Sequence, residues 1–362
     1  MYATYQKYTL NFKFLAGTSR GVLRHKDSYF IKVSQEKGAK HYGIGECAPL
    51  SGLSIDDVPD YEMQLASLCD HISQDCPSLH DEKGILDWVE THVYEKYPSL
   101  RFGSEVALLD LWQGGRKKIL TNPWSESPSA AIPINGLIWM NDQEHMMHQL
   151  QEKLQAGFTC IKIKIGAIDF DQEMALLQFI REHYSAEDVT IRVDANGAFH
   201  EKDVFTKLER LAKFDVHSIE QPIQPKQLSL MRTLCAQSPV PIALDEELIG
   251  VHGLSPRSEL LDQIIPQYII LKPSLLGGIR ASREWIRLAE ERNMGWWITS
   301  ALESNIGLNA ISQFTATYPV KWPQGLGTGQ LYENNIPSPL TISDGMLHYR
   351  QDISWQDEQI IQ

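Results

Sequence analysis

The second part of the chain repeats one pattern, in which a short run of β-branched and aromatic residues is followed by an amphipathic helical stretch. The runs recur roughly every 25 to 30 residues between about residues 130 and 330. Strands that alternate with helices predict βα units, because a parallel strand needs a crossover connection. The eight runs are AIPING (131–136), CIKIKI (160–165), TIRVD (190–194), HSIE (217–220), PIALD (241–245), YIILK (268–272), GWWITS (295–300) and QGLGTG (324–329).

Eight βα units are the number that closes into one barrel, whose strands all open at their carboxyl ends onto a shared face. A doubly wound open sheet is the alternative, and it would normally carry a glycine-rich phosphate turn after its first strand. Asn135 and Gly136, followed by Leu137 and Ile138, do not form such a motif. We therefore predict a barrel over about residues 126–334.

Residues 1–125 differ in pattern and predict a separate α+β domain. Period-two alternation in YTLNFKF and SYFIKV, followed by HYGIGE, indicates a meander of antiparallel strands. Apolar positions at helical spacing follow over about 54–74, 84–97 and 104–113. The segment KKILTNPWSESPSAA, rich in Lys, Pro and Ser, is typical of a passage between two units. We expect the C-terminal tail, about 335–362, to pack back on the first domain.

The composition limits the classes of partner. A formal net charge of -13 argues against nucleic acid or an acidic membrane, since those ligands favour clustered Lys and Arg. No apolar run approaches the roughly 20 residues needed to cross a bilayer, and the first residues alternate rather than form a signal core. Five scattered cysteines without CxxC spacing indicate reduced thiols. We expect a cytoplasmic protein that acts on a small molecule.

Charged residues end most of the predicted barrel strands, where their side chains would face the shared mouth. They are Lys162 and Lys164 on the second strand, Asp194 on the third, Glu220 on the fourth, Asp245 on the fifth and Lys272 on the sixth. Three carboxylates thus lie between two strands that carry lysines. This order predicts a cation site with ammonium groups on either side.

Asp194, Glu220 and Asp245 predict a divalent metal site. One carboxylate at a strand end is also explained by a helix cap or a surface ion pair, but three on successive strands would repel each other without a cation. Three oxygen ligands that leave coordination positions open suit Mg²⁺, or else Mn²⁺. Glu246 follows Asp245 and projects differently, so we expect it to orient a ligand or a lysine.

Lys162 and Lys164 share one face of their strand because side chains alternate. A KxK pair alone is typical of a solvated strand edge, but this pair alternates with Ile161, Ile163 and Ile165 and is expected to point inward. A neighbouring ammonium and a nearby divalent cation both disfavour a charged amine. We expect the pKa of at least one of the pair to be lowered, and we predict that Lys164 is a general base.

In this order and spacing, the charged residues resemble the enolase superfamily, in the subgroup of muconate lactonizing enzymes and o-succinylbenzoate synthases. The family pattern is KxK, then D, E and D at successive strand ends, then a second lysine, and the resemblance covers nearly the whole chain. Similar strand-end phrases are Asp194-Ala195-Asn196, Glu220-Gln221-Pro222, Leu244-Asp245-Glu246 and Ser300-Ala301-Leu302-Glu303-Ser304. The resemblance implies a modified TIM-type (β/α)7β barrel with an N-terminal α+β capping domain, and it implies that Asn196 and Glu246 support the metal site.

The family's capping domain closes over the barrel mouth with two loops that shape substrate choice. The matching stretches here are about 15–26 and 46–54. Residues 45–52, GECAPLSG, are similar to stretches in o-succinylbenzoate synthases, although a Pro/Gly turn after a strand would explain the turn alone. Arg20 and Arg24 in the first stretch are candidate contacts for a substrate carboxylate, or else solvent-facing charges.

The resemblance implies an enzyme that removes a proton next to a substrate carboxylate and stabilises the resulting enediolate. Lys164 would take the proton and, as an ammonium, would protonate the departing hydroxyl in a syn elimination. Lys162 and Lys272 would supply positive charge. For the o-succinylbenzoate synthases, the implied reaction is the dehydration of a succinyl-hydroxycyclohexadiene carboxylate to an aromatic product in menaquinone biosynthesis. Candidate substrate contacts on the last strands, which ordinary loop hydrogen bonding would also explain, are Ser300, Ser304, Asn305, Gly327 and Thr328.

Racemases, epimerases and cycloisomerases of the same subgroup are the alternative, because a two-base mechanism needs the same two lysines. They include N-acylamino acid racemase, dipeptide epimerase and muconate cycloisomerase. Dipeptide epimerases usually carry an acidic DxD at the eighth strand, whereas this chain has Gly327-Thr328-Gly329. Mandelate-type and glucarate-type relatives use a histidine on the seventh strand, where this chain has Ser300. A barrel that only binds metabolites would not need lysines on both sides of a metal.

Overall fold

The computed structural model describes residues 1–18, 21–75 and 79–360. It begins with an antiparallel sheet in the order β1-β2-β3. β1 (Tyr2–Thr18) and β2 (Gly21–Ser34) form a long hairpin with a bulge between Asn11 and Ala16, and β3 (Tyr42–Cys47) pairs with β2. Alternating polar and apolar residues therefore form strands here, as the sequence predicts.

Three helices pack on this sheet, namely α1 (Tyr61–Gln74), α2 (Glu82–His92) and α3 (Pro98–Trp112). α3 begins at Pro98 rather than at about 104, because proline is tolerated in the first helical turn and Asp56 accepts a hydrogen bond of 2.8 Å from Ser99 N. α3 lies so close to β3 that a Cβ at Gly45 would collide with the carbonyl oxygen of Gly103. This helix–sheet contact therefore requires glycine.

A short helix, α4 (Pro123–Glu126), and a short strand, β4 (Ala131–Pro133), precede the barrel. The barrel is a parallel sheet whose seven strands follow chain order. They are β5 (Gly136–Ile138), β6 (Cys160–Lys164), β7 (Thr190–Asp194), β8 (Val216–Glu220), β9 (Ile242–Leu244), β10 (Tyr268–Leu271) and β11 (Gly295–Ile298). Each of the predicted runs from 160 to 300 matches one of these strands to within one or two residues at either end.

Helices follow these strands in turn. They are α5 (Gln143–Gln155), α6 (Phe170–His183), α7 (Val204–Ala212), α8 (Leu228–Gln237), α9 (Leu254–Ile264), α10 (Pro273–Leu276) with α11 (Gly278–Glu290), and α12 (Asn305–Thr315). Within the described ranges, no helix is long and apolar enough to cross a membrane.

The barrel closes through two residues, Gln324 and Gly325. Gln324 N donates to Pro133 O and Gly325 N donates to Ile298 O, both at 2.8 Å. A turn at Thr328–Gln330 follows in place of a helix. This is the (β/α)7β barrel that the resemblance implies, so the predicted fold class is confirmed. The predicted strand 324–329 is shortened by that turn, and the run 131–136 divides between β4 and β5.

The C-terminal tail contacts the N-terminal sheet and the strand that precedes the barrel. β12 (Leu340–Ser343) pairs with β13 (Met346–Tyr349), which pairs in turn with β4. Asp357 accepts a hydrogen bond of 2.9 Å from Tyr42 Oη and lies 2.7 Å from Lys117 Nζ. Residues of the tail are therefore held both by β3 and by the strand that leads into the barrel.

Glu105 on α3 joins the first helices to the barrel. Its Oε2 accepts a hydrogen bond of 2.5 Å from Ile279 N, in the first turn of α11. A Cβ at Gly278 would collide with this carboxylate, so the contact depends on glycine there. Burial raises the pKa of Glu105 to about 8, although the backbone hydrogen bonds act in the opposite direction. The folded state therefore binds the proton of this carboxyl more tightly than the unfolded state does.

We expect Glu105→Gln to change how stability depends on pH. In the wild type, the contribution of Glu105 is complete below its ordinary pKa of 4.5 and is lost as the pH rises through about 8. Glutamine does not ionise, so the unfolding free energy of the variant relative to the wild type should rise with pH. This difference in unfolding free energy should rise by on the order of 1.4 kcal/mol per pH unit at most. Urea unfolding between pH 5 and pH 9 measures the difference, and a constant difference would contradict the raised pKa.

Candidate active site

A cavity of about 630 Å³ opens at the carboxyl ends of the barrel strands, beneath the β1–β2 hairpin and the loop at 50–53. Its charged floor includes Lys162, Lys164, Asp194 and Lys272. Its apolar walls include Phe14, Leu23, Leu50, Leu53, Leu137, Trp139, Leu302 and Leu331. A charged floor below apolar walls suits an organic anion whose carbon skeleton is shielded from water.

Lys162 and Lys164 contact the carboxylates of the next two strands. Strand pairing places Lys164 opposite Asp194, and Asp194 opposite Glu220. Lys164 Nζ lies 3.2 Å from Asp194 Oδ2 and 2.7 Å from Asn196 Oδ1. Lys162 Nζ lies 2.9 Å from Asp194 Oδ2 and also donates to Glu220. Both lysines therefore point into the barrel, as their alternation predicts.

Lys272 lies on the opposite side of the barrel, since three strands separate β10 from β6. It donates to Asp245, and its Nζ lies 3.9 Å from Glu220 Oε1. Asp245 directly follows β9, and Glu220 ends β8. The structure thus brings together all six charged residues of the predicted site, with the carboxylates between the two lysine-bearing strands.

Burial and charge act against each other in this cluster. Burial disfavours the charged form of Lys162, but Asp194 and Glu220 outweigh it and raise the pKa of that ammonium. Repulsion between Lys162 and Lys164 was expected to lower a lysine pKa, but at Lys162 the carboxylates outweigh it. Burial would raise the pKa of Asp194 and Asp245, yet the lysines prevail and lower both pKa values. Burial and the charge of Asp194 raise the pKa of Glu220 well above its ordinary value.

The three carboxylates fit a divalent cation by their chemistry. Glu220 Oε1 is buried and accepts no hydrogen bond from the residues that the structure describes, and a cation would satisfy such an acceptor. In residues 1–18, 21–75 and 79–360, no three His, Cys, Asp or Glu side chains converge on one metal position. Lys162 and Lys272 lie between the carboxylates, so their ammonium groups would have to move aside for a cation to bind. Asp194, Glu220 and Asp245 remain the proposed ligands.

Two amide side chains support this cluster. Asn196 Nδ2 donates to Glu246 Oε1 at 3.0 Å, while Asn196 Oδ1 accepts from Lys164. Gln221 is fully buried, and its Oε1 accepts hydrogen bonds of 3.3 and 3.2 Å from the backbone N–H groups of Asp245 and Glu247. Gln221 therefore orients the backbone that carries Asp245, a role that the sequence analysis missed.

Ser300, Gly327 and Thr328 line the cavity, as expected of substrate contacts. The hydroxyl groups of Ser300 and Thr328 share a hydrogen bond of 2.6 Å. Gly327 has no side chain, so this part of the wall leaves space beside the two hydroxyls. These three residues remain proposed contacts for the substrate.

Ser304 and Asn305, which were also expected to contact substrate, do not line the cavity, and their side chains have other partners. Ser304 caps α12, because its Oγ accepts a hydrogen bond of 3.1 Å from Ile306 N and donates one of 2.5 Å to Glu46. Asn305 Nδ2 donates to Ile336 O at 2.7 Å. The first turn of α12 therefore uses both side chains for structure.

Apolar side chains of the β1–β2 hairpin face the cavity. Phe14 meets Trp139 edge to face with ring centroids 5.8 Å apart, and Leu23 also lines the wall. Arg24 is exposed and is not part of the lining. Arg20 lies outside the described residues.

Asn135 is a cavity residue that the sequence analysis missed as a site candidate. It is 5% exposed, and its Oδ1 is buried without a hydrogen-bond partner among the described residues. A polar group of a ligand could donate to this oxygen. The alternation of the run 131–136 was the available signal, but its inward face could not be assigned before the strand register was known.

Comparisons with known proteins agree with this geometry. The family described as "Enolase C-terminal domain-like" matches residues 145–353. An o-succinylbenzoate synthase of Desulfotalea psychrophila is 47% identical, over 96% of this chain and 98% of that protein. The crystal structure of MenC from the same organism has a TM-score of 0.83 at 44% identity and covers 96% of this chain and 99% of that chain. An L-Ala-D/L-Glu epimerase of Bacillus subtilis is 24% identical, over 80% of this chain and 78% of that protein.

A (β/α)7β barrel whose strands end in KxK, three carboxylates and a second lysine defines one class of enzymes, and this chain belongs to it: the enolase superfamily. Of the two relatives compared by sequence, the o-succinylbenzoate synthase shares almost twice the identity of the epimerase. It also matches nearly the full length of the chain, including the residues before the barrel.

Proposed function

We propose that this protein is an o-succinylbenzoate synthase. It would dehydrate 2-succinyl-6-hydroxy-2,4-cyclohexadiene-1-carboxylate to 2-succinylbenzoate in menaquinone biosynthesis. The observation that carries the proposal is that Lys164 and Lys272 both line one cavity and lie on opposite sides of the three carboxylates. The 47% identity to a relative named for this activity supports the same substrate.

Lys164 is the proposed base. Its Nζ is directed by hydrogen bonds to Asp194 and Asn196, so the amine has a fixed position at the cavity floor. As a neutral amine it removes the proton next to the substrate carboxylate. The resulting ammonium lies on the same face of the ring and donates that proton to the departing hydroxyl, so that water leaves and the ring becomes aromatic.

Lys162 and Lys272 supply positive charge as the substrate carboxylate gains a second negative charge. Asp194 and Glu220 keep Lys162 cationic, and Lys272 approaches from the side opposite Lys164. Mg²⁺ or Mn²⁺ held by Asp194, Glu220 and Asp245 would add further positive charge at the carboxylate oxygens. These charges stabilise the enediolate where its charge develops.

The apolar wall of the cavity and two hydroxyl groups on the last strands suit the ring and the succinyl tail of the substrate. Leu50, Trp139 and Leu302 form an apolar wall that suits a six-membered carbon ring and excludes water from the enediolate. Ser300 and Thr328 share one hydrogen bond, so the hydroxyl that accepts in it keeps its own proton to donate to a carboxylate of the succinyl tail.

We also infer that the reaction takes place in the cytoplasm. Cys47, Cys69, Cys160 and Cys235 are buried free thiols. Free cysteines are typical of proteins from reducing compartments, where thiols stay reduced.

A racemase or epimerase is the second candidate, because the two lysines on opposite sides of the cavity could each exchange a proton. An epimerase must also hold the ammonium group of a dipeptide. The wall at Gly327 and Thr328 has no carboxylate with which to do so. The geometry therefore favours a substrate that carries no amine.

An assay of both reactions tests the proposal. Purified protein with Mg²⁺ and the cyclohexadiene substrate should form the aromatic product, followed by its ultraviolet absorbance. L-Ala-L-Glu should be epimerised with a kcat/KM lower by on the order of 100-fold or more, since the wall at Gly327 and Thr328 offers no carboxylate to pair with the ammonium. Comparable efficiency with both substrates would favour the epimerase, and activity with neither would reject both functions.

A further inference from the structure

Leu302 combines two properties that rarely occur together. It lines the cavity wall, two residues after Ser300, and its backbone is left-handed, with φ of 64°. A residue with a Cβ is strained in this region because the Cβ approaches the following carbonyl oxygen. Such strain persists only where the surrounding structure holds it, and it concentrates at functional sites.

Two buried donors hold the Leu302 backbone. Its carbonyl oxygen accepts a hydrogen bond of 2.9 Å from Lys26 Nζ and one of 2.6 Å from Tyr332 Oη. Lys26 comes from β2, and Tyr332 follows the turn after the eighth strand. Lys26 is 4% and Tyr332 is 2% exposed. The N-terminal sheet and the end of the barrel thus converge on one peptide group.

Two carboxylates act on the buried Lys26 side chain. Burial lowers the pKa of Lys26, and the charges of Glu303 and Glu46 oppose that shift and favour its ammonium form. Glu46 accepts hydrogen bonds from Ser28, Ser304 and Gly307, and Glu303 accepts them from Ser274 and Ala301. These donors fix both carboxylates in place, and the Lys26 ammonium donates to the Leu302 carbonyl.

The side chain of Leu302 completes an apolar wall. It packs in one cluster with Leu50, Trp139 and Leu331, each from a different loop around the mouth. All four line the cavity. A relaxed backbone at Leu302 would redirect the side chain and open the wall at the end of β11.

We propose that Leu302 is a specificity-determining residue that contacts the substrate ring, and that Lys26 and Tyr332 are positioning residues that hold it in its left-handed conformation. The contact with the ring rests on the proposed dehydratase function. The positioning of Leu302 does not, so the two parts are tested by different measurements.

Tyr332→Phe removes one hydroxyl and keeps the ring packed on Phe12, with centroids 4.7 Å apart in the wild type. We expect KM for the cyclohexadiene substrate to rise about fivefold to tenfold, with a smaller change in kcat, because the wall moves while the lysines stay in place. Tyr61→Phe is the matched control, since it removes a buried hydroxyl that bonds to Ser99 away from the cavity. An unchanged KM in Tyr332→Phe would overturn the proposal.

A double-mutant cycle tests the positioning more directly. Glycine adopts a φ of 64° without strain, so Leu302→Gly should make the donors dispensable. Tyr332→Phe or Lys26→Met should then raise KM far less in the Leu302→Gly background than in the wild type. Equal effects in both backgrounds would show that Lys26 and Tyr332 act on general stability, and would overturn the positioning role. The cycle with Tyr332→Phe decides the question if Lys26→Met fails to fold.

A crystal structure of Lys26→Met/Tyr332→Phe, or of Tyr332→Phe if the double variant does not fold, separates the two parts of the argument. We expect φ of Leu302 to leave the left-handed region and its side chain to leave the cavity wall. A Leu302 backbone unchanged from the wild type would overturn the positioning role whatever the substrate is. If the wild-type enzyme does not turn over the cyclohexadiene, the dehydratase function and the ring contact are refuted. The crystallographic result would still decide whether Lys26 and Tyr332 position Leu302.

Discussion

Lys164→Ala is expected to lower kcat for dehydration by on the order of 10⁴-fold. In the proposed mechanism one Nζ atom removes the proton and returns it to the leaving hydroxyl, so the variant would lose both steps. The fold should survive, because the hydrogen bonds of this side chain go to Asp194 and Asn196 at the cavity floor. Lys207→Ala is the matched control, since Lys207 pairs with Asp203 on an outer helix.

Rates alone cannot separate the roles of the two lysines, because Lys272→Ala should also be inactive through the loss of positive charge. Isotope exchange can separate them. With a slow or truncated carboxylate substrate in D₂O, Lys272→Ala should retain exchange of the proton next to the carboxylate, through Lys164. Lys164→Ala should show none from that face. Exchange that persists in Lys164→Ala and vanishes in Lys272→Ala would identify Lys272 as the base.

The second large effect is expected at the carboxylate cluster. Glu220→Gln keeps the shape of the middle one of the three proposed ligands but removes its charge, and we expect kcat/KM to fall by on the order of 10³-fold or more. Excess chelator should abolish wild-type activity, and added Mg²⁺ or Mn²⁺ should restore it. Asp194→Asn and Asp245→Asn should have the same effect. Full turnover in excess chelator would contradict the metal site.

Metal binding can also be measured without turnover. A ligand that binds only the folded state raises Tm, so Mg²⁺ should raise the Tm of the wild type and leave that of Glu220→Gln unchanged. Asp262→Asn is a matched control, because Asp262 pairs with Arg292 on the outer surface and its variant should still respond to Mg²⁺. An equal shift in Glu220→Gln would show that the cation binds elsewhere.

Much of the barrel was predictable because strand signals are local. The run TIRVD coincides with β7, and CIKIKI differs from β6 by one residue. Buried parallel strands are short apolar runs, and a charged residue at or directly after the end of β6, β7, β8, β9 and β10 marks where each of these five reaches the mouth. The prediction was weakest where consecutive residues pair with strands of different sheets. AIPING reads as one strand, yet β4 turns away to pair with β13 while β5 joins the barrel.

The charged floor was predictable for the same reason. Lys162, Lys164, Asp194 and Glu220 are placed by alternation and by strand ends, both of which are properties of the local backbone. Ser304 shows the limit of such reasoning, because its position after β11 suggested a substrate contact. Its hydroxyl instead donates to Glu46, which is 258 residues away in the chain.

The amino-acid sequence alone specified the period of the strands, the order of charges at their ends and hence the family. The cavity walls depended on tertiary packing. Lys26 reaches the Leu302 carbonyl across 276 residues of chain, and nothing near either residue indicates the contact. Alternation and helical period follow from the geometry of neighbouring residues. Contacts between distant segments depend instead on how the N-terminal sheet sits on the barrel, which is set by the burial of many surfaces at once.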